Sequence, residues 1–155
     1  MIQGREKLKE YFSLNEVREV SEYVGCKIDY NKEAGYLQLT KLVLIQSFKD
    51  EFELPDTKYK TPAAPQETRV VGPVLKETLH RQYLKGVGKL ILLAKYSRPH
   101  ILISVRELTK FVSKSSLAKY KAMLRVMKFC RDTRKDGIMV HLNEKWDGVN
   151  RHYLF

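Results

Sequence analysis

Residues 76–101 read KETLHRQYLKGVGKLILLAKYSRPHI, and this stretch decides the fold of the C-terminal half. Its apolar residues recur every three or four positions, which is the period of a helix with one buried face. The pattern predicts a helix over 76–95 with five inward residues: Leu79, Tyr83, Val87, Leu90 and Ala94. Arg98-Pro99 ends this helix and starts the next, because proline fits a first helical turn but breaks a helix interior.

Two further helices are predicted downstream of Pro99. The second covers 100–112 and the third about 116–131, where Ser115 or Ser116 can serve as the N-cap. The inward residues of the second helix are Ile101, Val105, Leu108 and Val112, and those of the third are Leu117, Tyr120, Leu124 and Met127. Residues 76–135 therefore predict a three-helix bundle.

The pattern changes from helical to alternating upstream. Residues 22–30 predict one half-buried strand, whose two faces carry Val24, Cys26, Ile28 and Tyr30 on one side and Tyr23, Gly25, Lys27 and Asp29 on the other. A turn ending at Gly35 leads into a second strand over 36–40, which completes a β-hairpin. A short helix is also predicted over 2–12.

A further helix follows the hairpin. Thr40 is expected to cap it, and it runs to about Glu53, where Pro55 stops it. Its apolar stripe consists of Leu44, Ile45, Phe48 and Phe52. Residues 55–75 carry four prolines and predict a connector, and strand pieces are predicted over 138–142 and 153–155. The fold class is therefore α+β: a hairpin with flanking helices, a Pro-rich connector, a three-helix bundle and short C-terminal strands.

Positive charge is concentrated in the second half of the chain. Residues 1–60 hold 10 Lys+Arg and 11 Asp+Glu, whereas residues 76–135 hold 16 and 3, a net charge of +13. A segment this basic repels itself unless a polyanion neutralises it, and nucleic acid is the usual polyanion. A solvated basic face without a specific ligand gives the same composition, so charge alone leaves both interpretations open.

The sequence gives little support to a catalytic function. Polymerisation needs two metal ions held by neighbouring carboxylates, and no Asp-Asp pair occurs in the chain. The four histidines have no evident Ser or Cys partner, and no Cys/His spacing suggests a metal site. Cys26 and Cys130 lie far apart in apolar surroundings, so we expect two reduced, packed thiols in a cytoplasmic or nuclear protein. We expect no membrane segment and no small-molecule substrate.

Several stretches together resemble one family. Residues 83–94 and 96–101 look like the "VGxLxYL…TRPDI" signature of copia-type retrotransposon reverse transcriptases, and residues 120–129 fit the following "HxxAxxRVLxYL" helix. Residues 23–28 resemble the family's "YFLGIEI" stretch, and Thr61-Pro62 fits its "TP" connector. The order and spacing agree over nearly the whole chain. His100 departs from the pattern, since the family has aspartate after Arg-Pro.

The resemblance implies an assignment within a Pol polyprotein. Residues 1–54 would end the palm, 55–75 would be the connector, 76–135 a thumb-like subdomain, and 136–155 the start of the connection toward RNase H. The family's catalytic aspartates precede the matched segment, so the resemblance implies no catalytic residue in this chain. Mg²⁺ would bind only in the full-length polymerase, whose upstream palm and fingers and downstream RNase H would be the neighbouring parts.

Two surfaces are predicted to bind the RNA/DNA template–primer duplex. By position, the hairpin with Tyr23, Gly25 and Lys27 resembles a primer grip, where tyrosine can stack and lysine can contact phosphate; an ordinary exposed strand face fits equally well. On the third helix, a basic stripe recurs at helical spacing opposite the core, formed by Lys121, Arg125 and Lys128. Such a stripe suits a duplex minor groove, although a solvated helix face has the same pattern.

Four residues are predicted to have structural roles. Gly86 and Gly88 would permit close helix contact, and Arg98 with Pro99 would join neighbouring helices through carbonyl or carboxylate contacts. An alternative function also remains: a domesticated basic helical module that binds an acidic protein partner.

Overall fold

A computed structural model describes residues 21–31, 33–64 and 72–141. Within these ranges the fold is α+β, as predicted, and combines an antiparallel sheet with four α-helices. The strands are β1 (Glu22–Tyr23), β2 (Cys26–Asn31), β3 (Tyr36–Thr40) and β4 (Ile138–His141). The helices are α1 (Leu42–Glu51), α2 (Glu77–Tyr96), α3 (Leu102–Thr109) and α4 (Leu117–Asp132), and a 3-10 turn (Pro99–Ile101) precedes α3. The helix predicted over 2–12 and the strand predicted over 153–155 lie outside the described residues.

The segment predicted as one strand over 22–30 is two strands joined by a tight turn. Val24 and Gly25 have φ values of 51° and 67°, as the two central residues of a type I′ hairpin turn require. Glu22 pairs with Lys27, and Tyr23 with Cys26. The single-strand prediction is therefore wrong, because an alternating pattern continues unchanged through a two-residue reversal.

The sheet brings together the two ends of the described chain. β2 and β3 form the predicted hairpin, with Ile28 opposite Leu39. β4 then pairs antiparallel with β3, with Ile138 opposite Leu39, and gives the strand order β1-β2-β3-β4. The strand that follows the helical bundle thus completes the N-terminal sheet, a pairing that the sequence did not predict.

The three helices after the connector are confirmed, as is most of their buried face. Tyr83, Val87, Leu90 and Ala94 are buried, and the Tyr83 hydroxyl donates a hydrogen bond to the Leu108 carbonyl at 2.7 Å. The predictions for Val112 and Leu117 are wrong, since both side chains are exposed. Met127 is fully buried, as predicted, and the predicted Tyr120 and Leu124 pack partly buried against the core. The buried face of α4 also includes Met123, Val126 and Cys130, which were not predicted.

The helix starts show which capping prediction holds. The Ser116 side chain accepts a hydrogen bond from the Lys119 amide at the start of α4, as predicted. Thr40 does not cap α1, because Lys41 occupies the N-cap position and makes no side-chain capping bond. One intervening residue therefore moves the Thr40 hydroxyl away from the free amides of the first turn.

One hydrophobic core joins both halves of the chain. Ile45, Phe48 and Phe52, at and just after α1, belong to the same buried cluster as the inward residues of α2, α3 and α4. The core therefore continues across the connector. The division into palm and thumb-like subdomains at 55–75 stays a prediction. None of the described helices is long and apolar enough to cross a membrane.

Candidate nucleic-acid interface

The three basic residues predicted to form one stripe on α4 have different environments. Lys121 is exposed, Arg125 is half-buried, and Lys128 is only 8% exposed. The Lys128 ammonium lies 2.6 Å from the Asp132 carboxylate, one turn further along the helix. The prediction that Lys128 faces solvent is wrong, because α4 is rotated so that its buried face reaches Lys128 as well as Met127.

Arg125 is held against the connector. Its guanidinium carbon lies 4.4 Å from the centroid of the Tyr59 ring, which is within the range of a cation–π interaction. One of its terminal nitrogens donates a hydrogen bond to the Thr61 hydroxyl at 3.4 Å. Pro62 and Ala63 line a small pocket together with α4 side chains. Residues 59–63 therefore lie against α4.

This arrangement adds a connector segment to the predicted site. Lys58 and Lys60 flank Tyr59 and are exposed, and consecutive Cα atoms are about 3.8 Å apart. On α4, Lys121 lies one turn before Arg125, so these two side chains are neighbours on the helix surface. We call these five residues the connector–α4 cluster: Lys58, Tyr59, Lys60, Lys121 and Arg125. The basic–aromatic–basic order Lys58-Tyr59-Lys60 is the signal in the sequence that could have identified this segment.

Other exposed cations are spread over all the helices of the bundle. α2 carries Arg81, Lys85 and Lys95, α3 carries Arg106, and Arg134 and Lys135 follow α4. The described surface is thus basic on several elements, whereas the sequence predicted one stripe.

The acidic residues of the basic segment are already engaged. Glu77 pairs with Arg81 at 2.9 Å, and Glu107 with Lys110 at 2.6 Å. The hydrogen bond from Lys110 lowers the pKa of the Glu107 carboxyl. On α1, hydrogen bonds from Lys85 and Lys89 likewise lower the pKa of Glu51. Each of these carboxylates therefore already has a cationic partner from the basic segment.

The hairpin does not bring its predicted contact residues, Tyr23 and Lys27, onto one face. Tyr23 is 66% exposed and Gly25 is exposed. Tyr23 and Lys27 do not share a face, because cross-strand partners point the same way and Tyr23 is paired with Cys26. Lys27 also lies 2.7 Å from Asp29. The predicted joint surface of tyrosine and lysine on this hairpin is therefore wrong.

The turn between β1 and β2 is held in place by the side chain of Lys41. The Lys41 ammonium donates a hydrogen bond to the Val24 carbonyl at 2.6 Å and lies 5.2 Å from the centroid of the Tyr96 ring. The hairpin tip is thus tied to the end of α2.

The structural role predicted for Arg98 is confirmed. The side chain is fully buried at the junction after α2, and Pro99 begins the 3-10 turn beside it. Its guanidinium donates hydrogen bonds to the Thr133 hydroxyl at 3.0 Å and to the Thr133 carbonyl, and it lies 3.6 Å from the Asp136 carboxylate. Burial lowers the pKa of the guanidinium, and Asp136 partly offsets this effect.

The two glycines of α2 differ. Gly86 is buried, and a Cβ atom there would overlap the Met123 sulfur and lie 2.9 Å from the terminal carbon of Met127. Gly88 is exposed, and a Cβ atom there would meet nothing within 4 Å. The prediction of close helix contact is confirmed for Gly86 and is wrong for Gly88.

One histidine does have a serine partner. The Nδ1 atom of His80 lies 2.8 Å from the Ser115 hydroxyl, contrary to the prediction that no histidine has one. Ser115 is fully buried, so a substrate cannot reach its hydroxyl. The pair links the start of α2 to the residues before α4.

The two cysteine thiols are also enclosed. Cys26 and Cys130 are free and buried, as predicted, and burial raises the pKa of the Cys130 thiol to about 12. Among the described residues, no group of three His, Cys, Asp or Glu side chains could hold a metal ion.

No protein-family model matches the chain, and no curated protein or solved structure matches it.

Proposed function

We propose that this chain binds RNA/DNA template–primer duplexes without sequence preference, as part of a copia-type retrotransposon RNA-directed DNA polymerase. In this proposal the chain grips nucleic acid but lacks the paired aspartates that would hold Mg²⁺, so it is not catalytic alone. Its partners are the duplex, the upstream palm and fingers, and the downstream RNase H of the parent polyprotein. It acts in the cytoplasm or nucleus.

The charge balance of residues 76–135 carries the proposal. They hold 16 basic and 3 acidic residues, and all three acidic side chains are paired with cations of the same segment. These three carboxylates offset three of the sixteen positive charges, so the segment keeps a net charge of +13. A phosphate backbone would neutralise that charge and release its condensed counterions on binding.

The types of residue at this surface favour contacts with the nucleic-acid backbone over reading of the bases. Lys121 and Arg125 can bind phosphate oxygens, and such contacts position a duplex without conveying its sequence. Tyr59 and Tyr23 add aromatic surface that can stack or contact sugar.

A salt titration tests the proposed binding directly. Fluorescence anisotropy should report binding of a labelled RNA–DNA duplex whose affinity falls more than about tenfold between about 50 and 200 mM salt. A second duplex of unrelated sequence should bind equally well. Affinity that is unchanged by salt, or confined to one sequence, would contradict the proposal.

Matched variants of α4 sharpen the test. Lys121→Ala and Arg125→Ala should each lower the slope of log affinity against log salt by about one. Lys128→Ala removes one charge from the same helix and should leave the slope unchanged, because Lys128 is buried against Asp132. Lys49→Ala, at an exposed position of α1, controls for the change in net charge.

A second candidate function is supported by an exposed apolar stripe on α2. Leu84, Ile91 and Leu92 are exposed, and their spacing places them on one side of the helix. Two exposed cations flank them, Lys85 and Lys95. An apolar stripe flanked by positive charge fits an amphipathic helix that carries acidic residues beside its apolar face. The alternative proposal is therefore a module that binds an acidic protein partner.

Nuclease treatment separates the two candidates. A protein partner should stay bound in a pulldown after nuclease treatment and should be lost with Ile91→Glu, which places a carboxylate on the stripe. Loss of all captured protein on nuclease treatment would exclude the second candidate.

A further inference from the structure

We infer that one face of the sheet is a docking surface for residues 1–20 of this chain, and that the helix predicted over 2–12 packs across it. The inference goes beyond the proposed function and does not depend on duplex binding. It concerns an apolar surface that the helices of the bundle do not use.

The strand register places six apolar side chains on one face of the sheet. Side chains alternate along each strand, and cross-strand partners point to the same side. Ile28 lies opposite Leu39, which in turn lies opposite Ile138. The row two residues further along is apolar as well. We call these six residues the apolar sheet face: Ile28, Tyr30, Leu37, Leu39, Ile138 and Val140.

The opposite face of the same strands is mainly polar and makes its own contacts. Lys27 and Asp29 share this face and lie 2.7 Å apart. Tyr36 and His141, which are cross-strand partners, bring their ring centroids to 6.4 Å in an edge-to-face arrangement. The alternation therefore separates a polar face with its own partners from an apolar one.

No described helix covers the apolar sheet face. None of its six residues belongs to the buried cluster of the helices or to the partly buried residues packed against that cluster. Tyr30 is 51% exposed and Val140 is 44% exposed. The described helices touch the end of this face, where the Cys26 thiol lies 3.8 Å from the Tyr96 carbonyl. A sheet buries an apolar face against another element, so we looked for that element elsewhere in the sequence.

Residues 1–20 offer an element of the right kind. In the helix predicted over 2–12, Leu8, Tyr11 and Phe12 have the i, i+3, i+4 spacing of one apolar face. An eleven-residue helix is about 16 Å long and about 10 Å wide. Three strands of about five residues form a face of about 10 by 17 Å. One such helix therefore matches the apolar sheet face in both size and polarity.

The connection along the chain permits this placement. Phe12 and Glu22 are ten positions apart in the sequence, and a chain of that length can span up to about 33 Å. Glu22 begins β1, which pairs with β2 in the same sheet. The segment therefore enters the sheet beside the face that it is proposed to cover.

Two other occupants fit less well. The segment after His141 carries a predicted strand over 153–155, and a strand extends a sheet at its edge, whereas a helix covers its face. A second copy would bring a further net charge of +11 to the same assembly, and like net charges oppose association. Residues 1–20 are therefore the occupant that the sequence and the register favour.

Thiol protection in the full chain tests the docking. Val140→Cys places a thiol on the apolar sheet face, and Met139→Cys places one on the opposite face of the same strand. The native side chains at these positions are 44% and 45% exposed, and both native cysteines are buried. Val140→Cys should react with a maleimide more than about tenfold slower than Met139→Cys, because a docked segment must open before the reagent reaches the thiol.

Substitutions in the segment itself test the occupant. Phe12→Glu, combined with Val140→Cys, puts a carboxylate into the proposed apolar contact and should bring the reaction rate to within about twofold of that of Met139→Cys. Gln3→Glu is the matched control, since it adds the same side chain and the same charge on the polar side of the predicted helix. It should leave the protection unchanged.

The alternative outcomes would each overturn the inference. Equal rates for the two introduced thiols would mean that nothing covers the face. Protection that persists with Phe12→Glu would assign the face to another segment, and protection that is lost on dilution would assign it to a second copy. If Phe12→Glu also exposes Cys130 to the maleimide, the variant has unfolded, and Leu8→Ala replaces it. That smaller change should speed the reaction of Val140→Cys at least about threefold, and an unchanged rate would contradict the docking.

Discussion

At the scale of single residues, burial has made two ionisable groups resistant to losing their protons. Tyr83 is fully buried, and desolvation raises the pKa of its phenol to about 12. Desolvation also raises the pKa of the Cys130 thiol to about 12, although the nearby Arg98 charge works in the opposite direction. Neither group is in a position to act as a nucleophile near neutral pH, because the reactive anion is strongly disfavoured.

The free energy of unfolding should therefore fall in alkaline solution. In the unfolded chain a thiol loses its proton near about pH 8.5 and a phenol near about pH 10, whereas both native groups hold theirs until about pH 12. The unfolded state then binds fewer protons, and stability decreases with rising pH across this interval.

Urea unfolding between pH 8 and 11 measures the effect. Cys130→Ala should lose less stability than wild type over this range, whatever its stability at pH 7. A parallel decline in both proteins would contradict the raised pKa of the thiol.

At the scale of elements, the approach of α2 to α4 depends on one missing side chain. Gly86 faces Met123 and Met127, both fully buried. Because no side chain fills position 86, the two methionines can occupy the space between the helices. Gly88, two residues later, faces away and plays no part in this contact.

The two glycines should respond to alanine with opposite signs. Gly86→Ala should lower the free energy of unfolding by about 1–2 kcal/mol, because overpacking exceeds the gain in helix propensity. Gly88→Ala should raise it by about 0.5–1 kcal/mol, since only the propensity changes. Chemical denaturation measures both, and a gain of equal size in both variants would mean that the methionines give way freely.

The β1–β2 turn contains a conflict between the side chain of one residue and the backbone conformation that the turn requires. Val24 adopts a positive φ of 51°, which a β-branched side chain disfavours. The Lys41 ammonium fixes the Val24 carbonyl and so supports this conformation.

Val24→Asn should relieve the conflict and raise stability by about 1 kcal/mol, because Asn-Gly is the preferred pair for a type I′ turn. Val24→Ala is the matched control, since alanine keeps the unfavourable Cβ but loses the branching. A fall in melting temperature for Val24→Asn would contradict the turn type.

At the scale of the whole molecule, Arg98 links the junction after α2 to the end of α4 and to Asp136, just before β4. Its partners are contributed by Thr133, Cys130 and Asp136. β4 then pairs with β3. One buried side chain thus fixes the position from which the chain returns to the N-terminal sheet.

Arg98→Ala should lower the free energy of unfolding by about 3 kcal/mol or more, because buried acceptors lose their donors and a cavity remains. Arg98→Lys should recover only part of this, since lysine lacks the planar fork. Asp136→Asn should cost less than about 1 kcal/mol, because its carboxylate is largely exposed. Thermal unfolding distinguishes these outcomes, and an Arg98→Ala protein as stable as wild type would remove the linking role.

Local patterns in the sequence determined much of this protein. The helical period predicted the three helices after the connector, and the turn chemistry before Tyr36 predicted the β2–β3 hairpin, because these features depend on neighbours a few residues apart. The roles of Ser116 as a helix N-cap and of Arg98 as a link between neighbouring elements could also be predicted from the sequence, because both residues lie at a helix end.

Only the tertiary structure decided which way α4 faces, and that depends on neighbours far away in sequence. Lys121 and Lys128 have the same chemistry and both fit the helical stripe, yet packing leaves one exposed and buries the other. Packing likewise brought Tyr59 onto Arg125 and β4 onto β3. Periodicity identifies a helix and its approximate apolar side, but the rotation of that helix is set by side-chain fit within a shared core.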